Sequence, residues 1–201
     1  MQRGQRDADT SAAGAMQALR SATWPAHERL ERCVDVKTRF STLASYRDHL
    51  AKMWGFCAGL EQPIDADTFA AALPDYESRR KLPSLTRDLH ALGIDADHLP
   101  VCRTLPACTD LAVAFGRLYV LEGATLGARV LLPIVKRELG LDAEHGAAYL
   151  ESYGSATGER WAVFGAALDA WCATPERRSA AIAAAIDTFA ALQSWLTEAP
   201  A

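Results

Sequence analysis

The sequence predicts an all-α fold in a single domain, and three observations carry that prediction. Apolar residues recur at helical spacing through almost every segment. No run alternates apolar and polar residues as a half-buried strand does, and no hairpin turn signal joins two such runs. Neither an internal repeat nor a low-complexity linker divides the 201 residues, a length that suits one domain with a sizeable core. Half the residues are hydrophobic and 23% are charged, an ordinary globular mix. A formal charge of −4 gives no basis for a nucleic-acid partner, and no apolar run is read as long enough to span a bilayer. Five cysteines, an odd number without a CxxC pair, point to free thiols in a reducing cytoplasm.

The elements follow in order. Residues 1–11 are polar and small and lack the apolar stretch of a secretory signal. They read as a disordered leader ahead of a domain over 12–198. The first helix, over 12–33, carries a stripe of Met16, Leu19, Thr23, Leu30 and Val34, interrupted by Pro25. A second fits 42–61 and ends at Pro63. Short helical pieces follow at 67–73 and 75–80, then a helix over 84–92 with Gly93 suited to its stop. The segment "IDADHLPVCRTLP" is a loop. A long helix starts near Thr109 as N-cap and runs towards Leu139 before Gly140, with Pro133 expected to kink or break it. Two helices close the chain, over 158–173 and 176–197. The second opens with Thr174 as cap, Pro175 in the first turn and Glu176 at the positive end of the dipole.

The usual nucleotide and hydrolase motifs are absent, as is H-E-x-x-H. The residues three before the five histidines are Trp24, Tyr46, Arg87, Asp95 and Asp142, so there is no Glu-x-x-His pair for a di-iron bundle. The missing C-x-x-C-H excludes covalent c-type haem attachment. His27 stands out because it shares the stripe of Thr23, Leu30 and Val34 and so should point into the core. A lone histidine in such a place is usually a hydrogen-bonded structural one. Arg20, however, precedes it by two turns on nearly the same face, about 10 Å along the helix. An imidazole and a guanidinium so arranged suit a flat metallocofactor with anionic edge groups, and haem has that shape and charge.

The long helix poses the second question. Gly123 and Gly127 lie one turn apart in its interior, each costing about 1 kcal/mol of helix stability relative to Ala. Either another helix packs closely there, or a flat ligand lies against the bare strip. Tyr119 extends the same face with a phenol, and Thr125 and Arg129 are expected to flank the strip with polar handles.

Two stretches resemble the haem oxygenase family, particularly its bacterial biliverdin-producing type paired with bacteriophytochromes. "LRSATWPAHERLE" is similar to the family's first-helix motif, and "GRLYVLEGATLGARVL" to its distal-helix signature of an aromatic followed by Glu-Gly-x-x-x-Gly. The resemblance implies a helical bundle with haem between a proximal first helix and a kinked, Gly-containing distal helix. It implies oxidative opening of haem to biliverdin, CO and ferrous iron, with haem as cofactor and substrate. O2 and a ferredoxin- or reductase-type electron donor would take part, with a bacteriophytochrome as recipient of biliverdin. By that resemblance His27 is the proximal iron ligand and Glu31 helps set its environment. Gly123 and Gly127 bring the distal helix to the haem face, and Arg20, Tyr119 and Arg160 face the haem edge, with Thr125 beside the strip. The chain is expected to act as a monomer. The mammalian-type enzymes place an Asp directly after the first distal glycine, whereas this chain has Ala124. That departure keeps a second reading in view, a non-catalytic haem or bilin carrier of the same shape. A ligand-free helical interaction module is the third.

Overall fold

The two longest helices of the described residues lie against each other, and the remaining helices are arranged around that pair. A computed structural model describes residues 14–108 and 110–197, and every regular element among them is helical. The α-helices are α1 (Ala15–Cys33), α2 (Val36–Arg39), α3 (Leu43–Glu61), α4 (Ala66–Ala70), α5 (Leu82–Ala91), α6 (Leu111–Leu139), α7 (Ala148–Glu151), α8 (Thr157–Trp171) and α9 (Pro175–Thr197). Single 3-10 turns occur at Tyr76–Arg79, Ala96–His98 and Gly154–Ala156. The predicted leader lies outside the described residues.

Helix α9 is the hub, packed against α6 and α1, while α8 touches both of those helices. A second group, α3 on α5 and α5 on α7, returns to α6 through α7. Between the groups runs a chain of aromatic rings, Tyr76–Phe69–Phe115–Phe164–Trp161, with successive centroids 4.9, 4.8, 5.9 and 5.9 Å apart. Both α6 and α9 are long and apolar enough to cross a bilayer by length and composition, which corrects the expectation that no run is. In this fold their apolar faces meet each other and the core, as those of any central helix pair do.

The local signals act as their chemistry requires. The Thr42 hydroxyl accepts from the Ser45 amide, and the Ser45 hydroxyl accepts from the Thr42 amide, closing a capping box at α3. Thr174 accepts from the Arg177 amide at α9. Gly140 ends α6 at φ +68°, a left-handed position that glycine occupies without a Cβ clash. The predicted cap Thr109 lies outside the described residues; Asp110 accepts from the Val113 amide at 3.0 Å and α6 begins at Leu111.

Of the kink or break expected at Pro133, the break does not occur: α6 runs through the proline as one helix. Val135 is buried and Leu132 and Ile134 pack on the core, so tertiary contacts hold the helix on both sides of the proline. The carbonyl that loses its donor belongs to Arg129, which is exposed and can bond to water.

Candidate functional site

The α1 side of the site is built on a helix whose start is tied down. Asp169 of α8 accepts from the Met16 amide at 2.8 Å, satisfying a donor of the first turn that has no partner within the helix. The inward stripe of α1 is made of Leu19 and four small residues, Ala15, Ala18, Thr23 and Ala26. His27 lies about 100° round from Ala26, at the edge of that stripe. Its side chain is therefore 43% exposed rather than in the core, which corrects the sequence expectation. Trp24 stacks on its imidazole (5.7 Å, 13°) and Phe189 of α9 meets it edge-on (5.9 Å, 79°). Nδ1 is buried, has no hydrogen-bond partner, and lies 3.7 Å from a carboxylate oxygen of Glu31, one turn on.

The α6 side answers the question posed by its glycines. A Cβ on Gly127 would meet nothing within 4 Å, and one on Gly123 would meet only the Trp161 ring at 3.8 Å, ordinary contact. Helix–helix packing therefore does not require either glycine. The strip faces open space. Tyr119, one turn earlier, is 8% exposed and lies 5.7 Å from the Trp161 ring. Burial pushes its phenol up, against the opposing influence of a hydrogen bond with Thr23 and the charge of Arg20. That contact joins α6 to α1 one turn before Gly123 on one helix and one turn before His27 on the other. The structure thus brings Arg20, Tyr119 and Gly123 together, with His27 and Glu31 next along α1.

Two predicted residues are engaged elsewhere. Thr125 does not flank the strip: two positions beyond Gly123 is about 200° around a helix. It is buried, and its hydroxyl donates to the Glu122 carbonyl at 2.6 Å. Arg160 is held through one guanidinium nitrogen, Nη1, by Asp75 (2.6 Å) and Ser78 (2.9 Å). Both belong with a buried ion network that sequence reasoning missed. Glu122 accepts from Arg79 at 2.6 Å, Lys81 at 2.7 Å and the Tyr153 hydroxyl at 2.7 Å. Arg79, fully buried, also donates twice to Asp75 at 2.7 Å. Burial disfavours the Arg79 charge, but Asp75 and Glu122 outweigh it and hold the guanidinium ionised. Burial and the Glu122 carboxylate together push the Tyr153 phenol up. The one available signal was a lone carboxylate in an apolar stretch of α6.

Comparison with known proteins gives this arrangement its context. The heme oxygenase family model matches residues 13–198, nearly the whole chain. The chain belongs to the haem oxygenase family. A heme oxygenase of Xanthomonas campestris pv. campestris is 29% identical over 153 residues, covering 76% of this chain and 88% of that protein. The heme oxygenase PigA of Pseudomonas aeruginosa is 30% identical over 173 residues, 86% of each chain. Among solved structures, the NO- and CO-bound heme oxygenase from Neisseria meningitidis superposes with a TM-score of 0.80 at 26% identity, covering 92% of this chain and 91% of that one. The enzyme from Leptospira interrogans shares the fold at a TM-score of 0.75 and 16% identity, over 92% and 99% of the two chains. Each of these relatives bears the name of the enzyme and none that of a carrier. This haem oxygenase is a haem-degrading enzyme, and haem is its substrate.

The residues present fit that substrate. The haem oxygenase chain offers a half-exposed imidazole whose buried Nδ1 stands 3.7 Å from a carboxylate. Facing open space on α6 is a surface that any larger side chain would fill. Trp24, Leu126 and Val130 leave large apolar area exposed on the same two helices, as a planar macrocycle requires.

Proposed function

We propose that haem is held between α1 and α6, with His27 as iron ligand and Gly123 and Gly127 forming the opposite wall. The observation that carries this reading is the open space beside Gly127: a glycine that costs helix stability and contacts no other helix is explained by a ligand. The Glu31 carboxylate, 3.7 Å from Nδ1, favours the tautomer that carries its proton there, which would leave the Nε2 lone pair for the metal. Arg20 and the Tyr119 hydroxyl supply a cation and a donor for carboxylate groups at the haem edge. The Glu122 network fixes α6 to the Tyr76–Arg79 turn and to α8, so that the wall does not drift.

When bound, haem supplies the redox-active iron for O2-dependent opening of its own ring to biliverdin, CO and ferrous iron, with electrons from an external ferredoxin- or reductase-type donor. The chain supplies orientation and a shaped, water-poor slot. Similarity of the two motifs to the phytochrome-associated type supports a bacteriophytochrome as recipient of the product. Free thiols at all five cysteines support a cytoplasmic setting.

The test is a hemin titration followed by ascorbate in air with catalase present, monitored by absorption. The wild type is expected to lose its Soret band as a red biliverdin absorbance grows. Gly127→Leu and Gly123→Leu are expected to impair binding or turnover while helicity is retained. Unchanged binding and turnover in both variants would remove α6 from the site. An unchanged ligand spectrum in His27→Ala would remove His27 as the iron ligand.

A further inference from the structure

We propose that Trp24 is a positioning residue for the haem oxygenase reaction, its indole holding the plane of the His27 imidazole. The inference rests on His27 being the iron ligand. Trp24 and His27 are three residues apart on α1, so their side chains share a face, and the rings stack 5.7 Å apart at 13°. Phe189 meets the same imidazole edge-on at 5.9 Å, and Glu31 stands 3.7 Å from Nδ1. Rotation about the Cβ–Cγ bond is opposed by an indole on one side and a phenyl ring on another, while the carboxylate selects which nitrogen turns inward.

Two further observations separate this role from ordinary packing. Trp24 is 52% exposed, so core burial does not account for an indole at this position. It also directly precedes Pro25, where contact with the proline ring disfavours the α region. Helix α1 is nevertheless continuous across it, from Ala15 to Cys33. A local preference is overridden at a residue that stacks on the candidate ligand, and conflicts of this kind gather at functional sites. An imidazole held in one plane presents its lone pair in one direction; a free one must be ordered each time the iron binds.

The experiment compares full-length wild type, Trp24→Leu, which keeps apolar bulk without an aromatic face, Trp24→Phe, which restores a ring, and His27→Ala. In the ligand-free protein, the His27 ring-proton resonances carry the indole ring-current shift. They are expected to move towards those of a solvated imidazole in Trp24→Leu, with helicity and Tm unchanged. In the hemin-loaded protein, Trp24→Leu is expected to lose roughly five- to tenfold in hemin affinity, the scale of one aromatic pair. Its ferrous iron–histidine stretching band should broaden and shift, and Trp24→Phe should recover both properties. Unmoved ring protons, or an unchanged affinity and stretching band in Trp24→Leu, overturns the proposal. If His27→Ala abolishes the band while Trp24→Leu leaves it unaltered, only the role of Trp24 falls. If His27→Ala retains the band, the ligand assignment falls and this inference with it.

Discussion

From Ala112 to Glu122, α6 is buried on nearly every side; from Gly123 to Leu139 only Thr125, Ala128 and Val135 are buried. Each half contains glycine, for opposite reasons. A Cβ on Gly116 would overlap the Ala181 carbonyl oxygen and stand 2.9 Å from the Ala184 Cβ, so that glycine lets α9 approach. Gly55 and Gly59 do the same on α3, where a Cβ would overlap the carbonyl oxygens of Pro100 and Cys102 in the loop that crosses it. Gly123 and Gly127 meet no other backbone. The same residue type marks close packing in one half of a helix and open surface in the other, and what a methyl group would touch distinguishes them.

The scaffold half should be the costlier one to disturb, and Glu122 at its end most of all. Glu122→Ala leaves Arg79 and Lys81 buried without their shared carboxylate, and removal of one partner from a buried ion pair costs about 3–5 kcal/mol. Denaturant unfolding followed by circular dichroism would register that loss; a change below about 1 kcal/mol would mean the network is hydrated and does not anchor α6.

Acid should weaken the packed core through His49 of α3, which is buried. Burial, with Arg39 and Lys52 adding to it, lowers its pKa from 6.5 to about 3. The folded state keeps this imidazole neutral while the unfolded chain protonates it below pH 6.5. Stability is therefore lost as pH falls from 6.5 towards 3, by up to about 1.4 kcal/mol per unit. His49→Leu should flatten the slope of unfolding free energy against pH over that window. An equal slope in the variant would assign acid sensitivity to other groups.

The fold was largely legible because its signals are local. Thr42, Thr174 and Gly140 are single residues whose cap chemistry fixes an element end. Helix α7 and the Ala96–His98 turn escaped because four and three residues carry no period. Continuity through Pro133 was not legible, since it depends on core contacts of Leu132, Ile134 and Val135. Of the proposed site residues, Arg20, His27 and Glu31 share one helix and Tyr119, Gly123 and Gly127 another, so spacing alone groups them. The Glu122 network draws on residues 31 to 43 positions away, which no periodicity reports. The contacts of Arg160 with Asp75 and Ser78, 85 and 82 positions away, were not legible for the same reason. Thr125 was misassigned against an angle that the sequence already contained.

The finest test of the two halves uses one methyl group in each. Gly116→Ala gains helix propensity but forces the new Cβ onto the α9 backbone. A net loss of about 1–3 kcal/mol is expected, as for other overpacked cores. Gly127→Ala adds the same methyl into open space, so only the propensity gain remains, about 0.5–1 kcal/mol of stabilisation. In a chain of this size that is a rise in Tm of roughly 1–4 °C. Thermal melts of the two ligand-free variants should therefore move in opposite directions. If both fall, α6 is covered at Gly127 by protein after all, and the bare strip loses its meaning as a ligand surface. If Gly127→Ala rises, the wild-type glycine sacrifices stability at that position, and a requirement outside folding has to account for it.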